Sequence, residues 1–304
     1  MKWISWFDVP FLKIVLSGAL INLSTILGAV FLMLFSASTQ AEEATYESIA
    51  GSALSREELD LVHRFEQISG EQFPQFFSSA VHQREYCVEI GNSCHFSLQK
   101  RVSKVHFVLK GAKNFPSDEE AKVAGGALIQ ALSDVSNVTG LQFDFNNPNG
   151  SDTFIYFLFV DTDEYFANPE VYVRSWVARD GFNNRERQFD WFSEFMRSTT
   201  PCMALTSKHD DNIIRDSYVW IKNNLGPFSL ERCVAEELFN SLGLDEGVGV
   251  DSIFDWPLVA QTQAKGLHDL HLLMLKLLYS VEFEVGQTQS QTTNRTSRLL
   301  GSSE

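Results

Sequence analysis

The spacing of apolar and polar positions changes along the chain, and each change marks an element. From Ile14 to Phe35 no residue is charged, a run long enough to cross a bilayer. Residues 42–54 are small and acidic and read as a linker. Ser55-Arg-Glu-Glu58 is a capping-box pattern, and it opens an amphipathic segment from Leu59 to Ile68. An irregular stretch with Phe73, Phe76 and Phe77 follows. Lys104 to Lys110 has the β-branched and aromatic content of a strand. A helix starts at Pro116, places acidic residues in its first turn where the dipole favours them, and runs to Asn137. Leu141 to Phe145 alternates as a strand, and Asn146 to Gly150 is a turn. Thr153 to Val160 is continuously apolar and reads as a buried strand. Residues 161–200 mix aromatics and charges without a clear period. Ile213 to Ile221 is a further strand. Gly226 to Ser229 is a turn, with Ser229 expected as the N-cap of a helix from Leu230 to Leu242 that stops at Gly243. Leu267 to Tyr279 is a strongly apolar last helix. Gly286 to Glu304 is rich in Gln, Ser and Thr and is expected to be disordered. The order predicts an α+β domain with a small mixed sheet. The expected layout is a signal or anchor over 1–41, a helical region over 42–99, the α+β domain over 100–285 and a tail over 286–304.

Charge changes the reading of the N-terminus. Lys2 and Lys13 precede the apolar run, and Glu42 and Glu43 follow it. That is an export signal with its N-terminus held inside. It is either cleaved after Thr39-Gln40-Ala41, which has small residues at the −3 and −1 positions, or kept as a membrane anchor through residues 14–35. Both versions place the rest of the chain outside the cytoplasm, in a periplasmic or similar oxidising space. The four cysteines, Cys87, Cys94, Cys202 and Cys233, therefore read as two disulfides, with three pairings open from spacing alone. The net charge of −15 argues against a nucleic-acid binder, which needs a basic stripe for the phosphates. No phosphate loop, dinucleotide fingerprint or G-x-S-x-G elbow occurs in the sequence. His268 and His271, three apart, read as caps or flanks of the apolar last helix. The aromatic residues Tyr165, Phe166, Tyr172 and Trp176 read as core.

The informative stretch is 229–256. Glu236, Glu237, Asn240, Gly243 and Glu246 have the spacing of H-E-x-x-H-x-x-G-x-x-H, the metzincin zinc motif. In that motif the first two His bind zinc from one helix face, and the Glu between them is the general base. Here Glu237 holds the base position. Glu236 and Asn240 replace the helix histidines, and Glu246 replaces the third ligand. Loss of imidazole removes the donors that suit zinc, so no zinc is expected. The remaining oxygens suit at most a divalent hard cation such as calcium or magnesium.

Cys233-x-x-Glu-Glu-Leu-x-Asn-x-Leu-Gly-Leu244, Asp251-Ser-Ile-Phe254 and Asp269 to Tyr279 together resemble one family, the bacterial exported proteins of domain of unknown function 2927. The likeness covers about residues 100–285 and is strongest over 229–280. It implies a zincin-like fold with an active-site-type helix, a C-terminal helix and no helix histidines. The resulting expectation is a pseudo-metalloprotease domain that binds a peptide or envelope ligand in a groove between the Glu236/Glu237 helix and the sheet edge, without hydrolysis. Two alternatives stand beside it: a metal-dependent hydrolase with Glu237 as base, and a structural envelope protein.

Overall fold

The continuous apolar run becomes the central strand of a five-stranded sheet. The computed structural model describes residues 54–82, 97–102, 104–111, 114–115, 117–145, 153–170, 172, 185–208, 211–225, 227–245 and 266–301. Among them the helices are α1 (Arg56–Ser69), α2 (Phe73–His82), α3 (Asp118–Thr139), α4 (Thr162–Ala167), α5 (Arg185–Arg197), α6 (Pro227–Ser241), α7 (Asp269–Tyr279) and α8 (Gln289–Gly301). The strands are β1 (Val105–Lys110), β2 (Phe143–Asp144), β3 (Thr153–Val160), β4 (Cys202–Lys208) and β5 (Ile214–Lys222). The sheet order is β2-β1-β3-β5-β4. All neighbours are parallel except β4, which runs antiparallel to β5 with Cys202 opposite Ile221.

Parallel strands need crossovers that cover the sheet, so β3 is apolar on both sides. Ile155, Phe157 and Phe159 enter the main core with α3, α6 and α7, whereas Leu158 and Val160 face a second core. The second core gathers Tyr165, Tyr172, Phe192, Phe195, Met196, Tyr218 and Trp220. It accounts for the aperiodic 161–200 region, which contributes α4 and α5. As expected for core aromatics, Tyr165 and Tyr172 are buried; Phe166 is exposed, and Trp176 lies outside the described residues.

The α+β class and the small mixed sheet stand. The Ser55–Glu58 capping box forms in both directions. Three expectations are corrected. First, the Phe73–Phe77 stretch is a helix, with Phe73 and Phe77 fully buried. Second, the helix expected from Leu230 begins at Pro227, because proline is pre-organised for the first helical position, where its missing N–H is no loss. Third, 289–301 is helical where disorder was expected. Composition misled because the tail is stabilised by docking and not by its own apolar content. Ser78 of α2 donates to the Gln289 carbonyl at 3.1 Å, and His82 meets Thr292 at 2.7 Å. Thr296 is fully buried and donates back to the Thr292 carbonyl at 2.9 Å, so a polar helix is packed with its hydroxyls satisfied. Leu54, α1 and α2 share the main core with α6 and α7.

No helix among the described residues is long and apolar enough to cross a membrane. The 14–35 run, the Thr39–Ala41 site and the 42–53 linker lie outside them.

Candidate functional site

Helix α6 packs beneath β4 and β5 and carries the degenerate motif. Its placement is enforced at its middle and at its end. Midway along it Cys233 is bonded to Cys202, the first residue of β4, with Cα atoms 5.8 Å apart. At its end the chain turns through Gly243 with φ at 101°. A Cβ there would lie 2.7 Å from the Gln99 carbonyl oxygen. The motif glycine is therefore required by both backbone angle and contact.

The C-terminus of α6 is held by a side chain that the sequence did not single out. Arg101 is fully buried. Its guanidinium donates to the Ser241 carbonyl at 3.1 and 3.3 Å, to the Ser217 hydroxyl at 2.6 Å, and to the Phe154 and Arg215 carbonyls at 3.2 and 3.3 Å. Ser217 also donates to the Ser241 carbonyl at 3.2 Å. Tyr279 of α7 donates to the Leu242 carbonyl and accepts from the Arg101 amide. A cation at a helix C-terminus is favoured by the dipole. Burial pushes the guanidinium down to about 10, opposed by Tyr279 and Asp216, and it stays charged at neutral pH. Lys100, one residue earlier, donates to the Leu278, Ser280 and Phe283 carbonyls at the end of α7. Adjacent basic residues thus cap two different helices. No local signal distinguishes them from a surface Lys-Arg pair.

The motif carboxylates part company. Glu236 accepts from Arg232 at 3.2 Å, one turn back on the same helix. Glu237 is only 4% exposed and faces the sheet. Asn240 donates to its carboxyl at 3.4 Å, and the Ala204 backbone on β4 donates as well. Burial, with the negative charges of Glu236 and Asp245, pushes this carboxyl well above the ordinary 4.5, against the bonds from Asn240 and Ala204. The amide oxygen of Asn240 is itself buried without a hydrogen-bond partner among the described residues. A carboxyl raised in this way is neutral over part of the range where ordinary carboxylates are ionised. Glu246, Asp251–Phe254, Cys87 and Cys94 lie outside the described residues. Among the described residues no three His, Cys, Asp or Glu side chains group as a metal site.

The raised carboxyl has a testable sign. The native state holds the Glu237 proton at pH values where the unfolded chain has released it. Stability is therefore full below about 4.5 and is lost as pH rises through the higher folded value. Glu237→Gln keeps the shape and removes the titration. Urea midpoints from pH 4 to pH 8 are expected to show a downward component with rising pH in the parent chain that is missing in Glu237→Gln. Parallel profiles would show that Glu237 is ionised in the fold.

His268 and His271 cap α7, as expected from their spacing. His268 accepts from the Leu270 amide at 3.2 Å, and His271 accepts from the His268 amide at 2.9 Å, both through Nδ1.

A family model described as Protein of unknown function (DUF2927) matches residues 71–297. The match is wider than the 100–285 expected, and it takes in α2 and most of α8, the two helices that pack on each other. No curated protein and no solved structure matches the chain.

Proposed function

The chain belongs to this family of proteins of unknown function, and from that premise we propose that it is an exported or membrane-anchored protein with a non-catalytic zincin-like domain that binds a peptide or envelope ligand. The observation that carries the reading is the state of Glu237. The residue at the position of the catalytic base is buried, pushed toward its neutral form, and engaged by Asn240 and the β4 backbone. Glu236, at the first ligand position, is engaged by Arg232. Glu237 used in this way ties α6 to the sheet edge, and Glu236 is spent on its own helix, so neither carboxyl is left free to hold a water or a metal.

The zincin-like reading is supported by the chain order. A long helix follows β1, a parallel sheet ends in one antiparallel edge strand, and the motif helix follows β5 and turns at Gly243. Export is supported by the Cys202–Cys233 bond, since such bridges persist in oxidising compartments. A peptide ligand is supported by β4, whose outer edge pairs with no other strand among the described residues. An unpaired edge is a template for an added strand.

The test uses the full chain, purified in detergent without chelator. Elemental analysis is expected to find no divalent metal at one per chain. A mixed fluorogenic peptide library is expected to stay uncut, while peptides released from cell-wall digests are retained on the immobilised chain. Stoichiometric metal with cleavage that disappears in Glu237→Gln would overturn the reading in favour of a hydrolase. Retention of neither peptides nor wall fragments would overturn it in favour of a structural role.

A further inference from the structure

Capping boxes are ordinarily built from Ser or Thr with Glu or Gln three residues later. The box that opens α7 is built from two imidazoles. His268 is the N-cap, and its Nδ1 accepts from Leu270. His271, fully buried, closes the box by accepting from the His268 amide. The rings lie 6.5 Å apart, and Phe239 of α6 packs edge-on against His271 at 5.3 Å. An imidazole nitrogen accepts only while it is unprotonated. A proton on either Nδ1 would point at a backbone N–H, so each bond would turn into a donor–donor clash. A hydroxyl or amide box has no such failure.

We propose that the His268–His271 box is an acid-released latch on the first turn of α7, freeing that turn from α1 and from the α6 face that carries Phe239. His268 is half-buried and faces Arg64 of α1 and Asp269 of its own helix. Burial, with Arg64, lowers it from 6.5, and Asp269 opposes them. His271 is pushed down to about 3 by burial and then by the charge of His268. The order of events follows from exposure. His268 protonates first, breaks its bond to Leu270, and opens the turn to water. His271 then loses the burial that kept it neutral and takes up its proton. Stability contributed by the box is thus present above the ordinary histidine range and is lost as pH falls below it. Tyr279 at the far end of α7 keeps its bond to the Leu242 carbonyl, which involves no imidazole. The release is therefore local to the first turns.

The experiment is hydrogen exchange with mass-spectrometric readout on the full chain, comparing the parent with His268→Ser/His271→Gln. The double variant rebuilds the box from groups that do not titrate. After correction for intrinsic exchange, the peptide over residues 267–275 in the parent is expected to lose about tenfold of its protection between about pH 7 and about pH 4.5, while β3 stays protected. The variant is expected to keep its protection. Equal loss in both proteins, no loss in the parent, or simultaneous loss in β3 would each overturn the latch. Histidine-selective NMR of the parent is a second measure that needs no variant. Protonation of His268 and His271 must track the exposure of the turn, and a latch that opens without it is refuted.

Discussion

Replacing Arg101 by methionine is expected to remove about 3–5 kcal/mol of stability, a large share of the roughly 5–15 kcal/mol that a domain has. The size follows from what is left behind. The methionine fills similar space but donates nothing, so the Phe154 and Arg215 carbonyls lose this donor and the buried Ser241 carbonyl keeps only Ser217. Each buried acceptor left without a partner costs about 1–3 kcal/mol. Arg101→Lys is expected to be nearly as damaging, because a single ammonium cannot span Ser217, Ser241 and the strand carbonyls as the planar fork does. Urea denaturation followed by tryptophan fluorescence measures both. Variants within about 1 kcal/mol of the parent would mean that water replaces the guanidinium and that Arg101 is not the anchor of α6.

The second large effect belongs to the Cys202–Cys233 bridge. The cysteines are 31 residues apart. Closing a loop of that size restricts the unfolded chain by an amount worth about 3–4 kcal/mol. Cys202→Ala with Cys233→Ala is expected to lower stability by that amount, and reduction of the parent chain is expected to match it. The loss has a structural direction as well. Cys202 begins the edge strand and Cys233 lies in the motif helix, so the bridge clamps the strand whose Ala204 backbone meets Glu237. Proteolysis under reducing conditions is therefore expected to start at β4. A reduced chain with an unchanged urea midpoint would remove the bridge from the account of stability.

The local elements were legible because their causes are local. A Ser with a Glu three residues later satisfies the first amides of α1 wherever that helix sits. Eight residues, seven of them apolar and rich in aromatic and β-branched side chains, make β3 a buried strand in any parallel sheet. The glycine at 243 could be read as a helix stop from sequence. That it also sits against the Gln99 carbonyl could not.

The site was only half legible, and the reason lies in which way side chains point. Spacing places Glu236 and Asn240 on one helix face, and it suggested a shared ligand set. The tertiary structure instead turns Glu237 onto the β4 backbone and gives it Asn240 as partner, while Glu236 turns to Arg232. Periodicity along one helix cannot say which face the sheet will cover.

Sequence by itself determined the α+β class, the buried strand β3, the motif helix and its glycine stop, and the imidazole pair at the start of α7, because each depends on neighbours a few residues away. Only the tertiary structure decided three other things: the protonation environment of Glu237, the burial of Arg101 under two helix ends, and the docking of the polar tail on α2. Those depend on partners far apart in the chain. Arg101 and Ser241 are separated by 140 positions, and Ser78 and Gln289 by 211. Desolvation, which sets the charge of a carboxyl and the worth of a buried hydrogen bond, exists only once such distant segments have excluded the water between them.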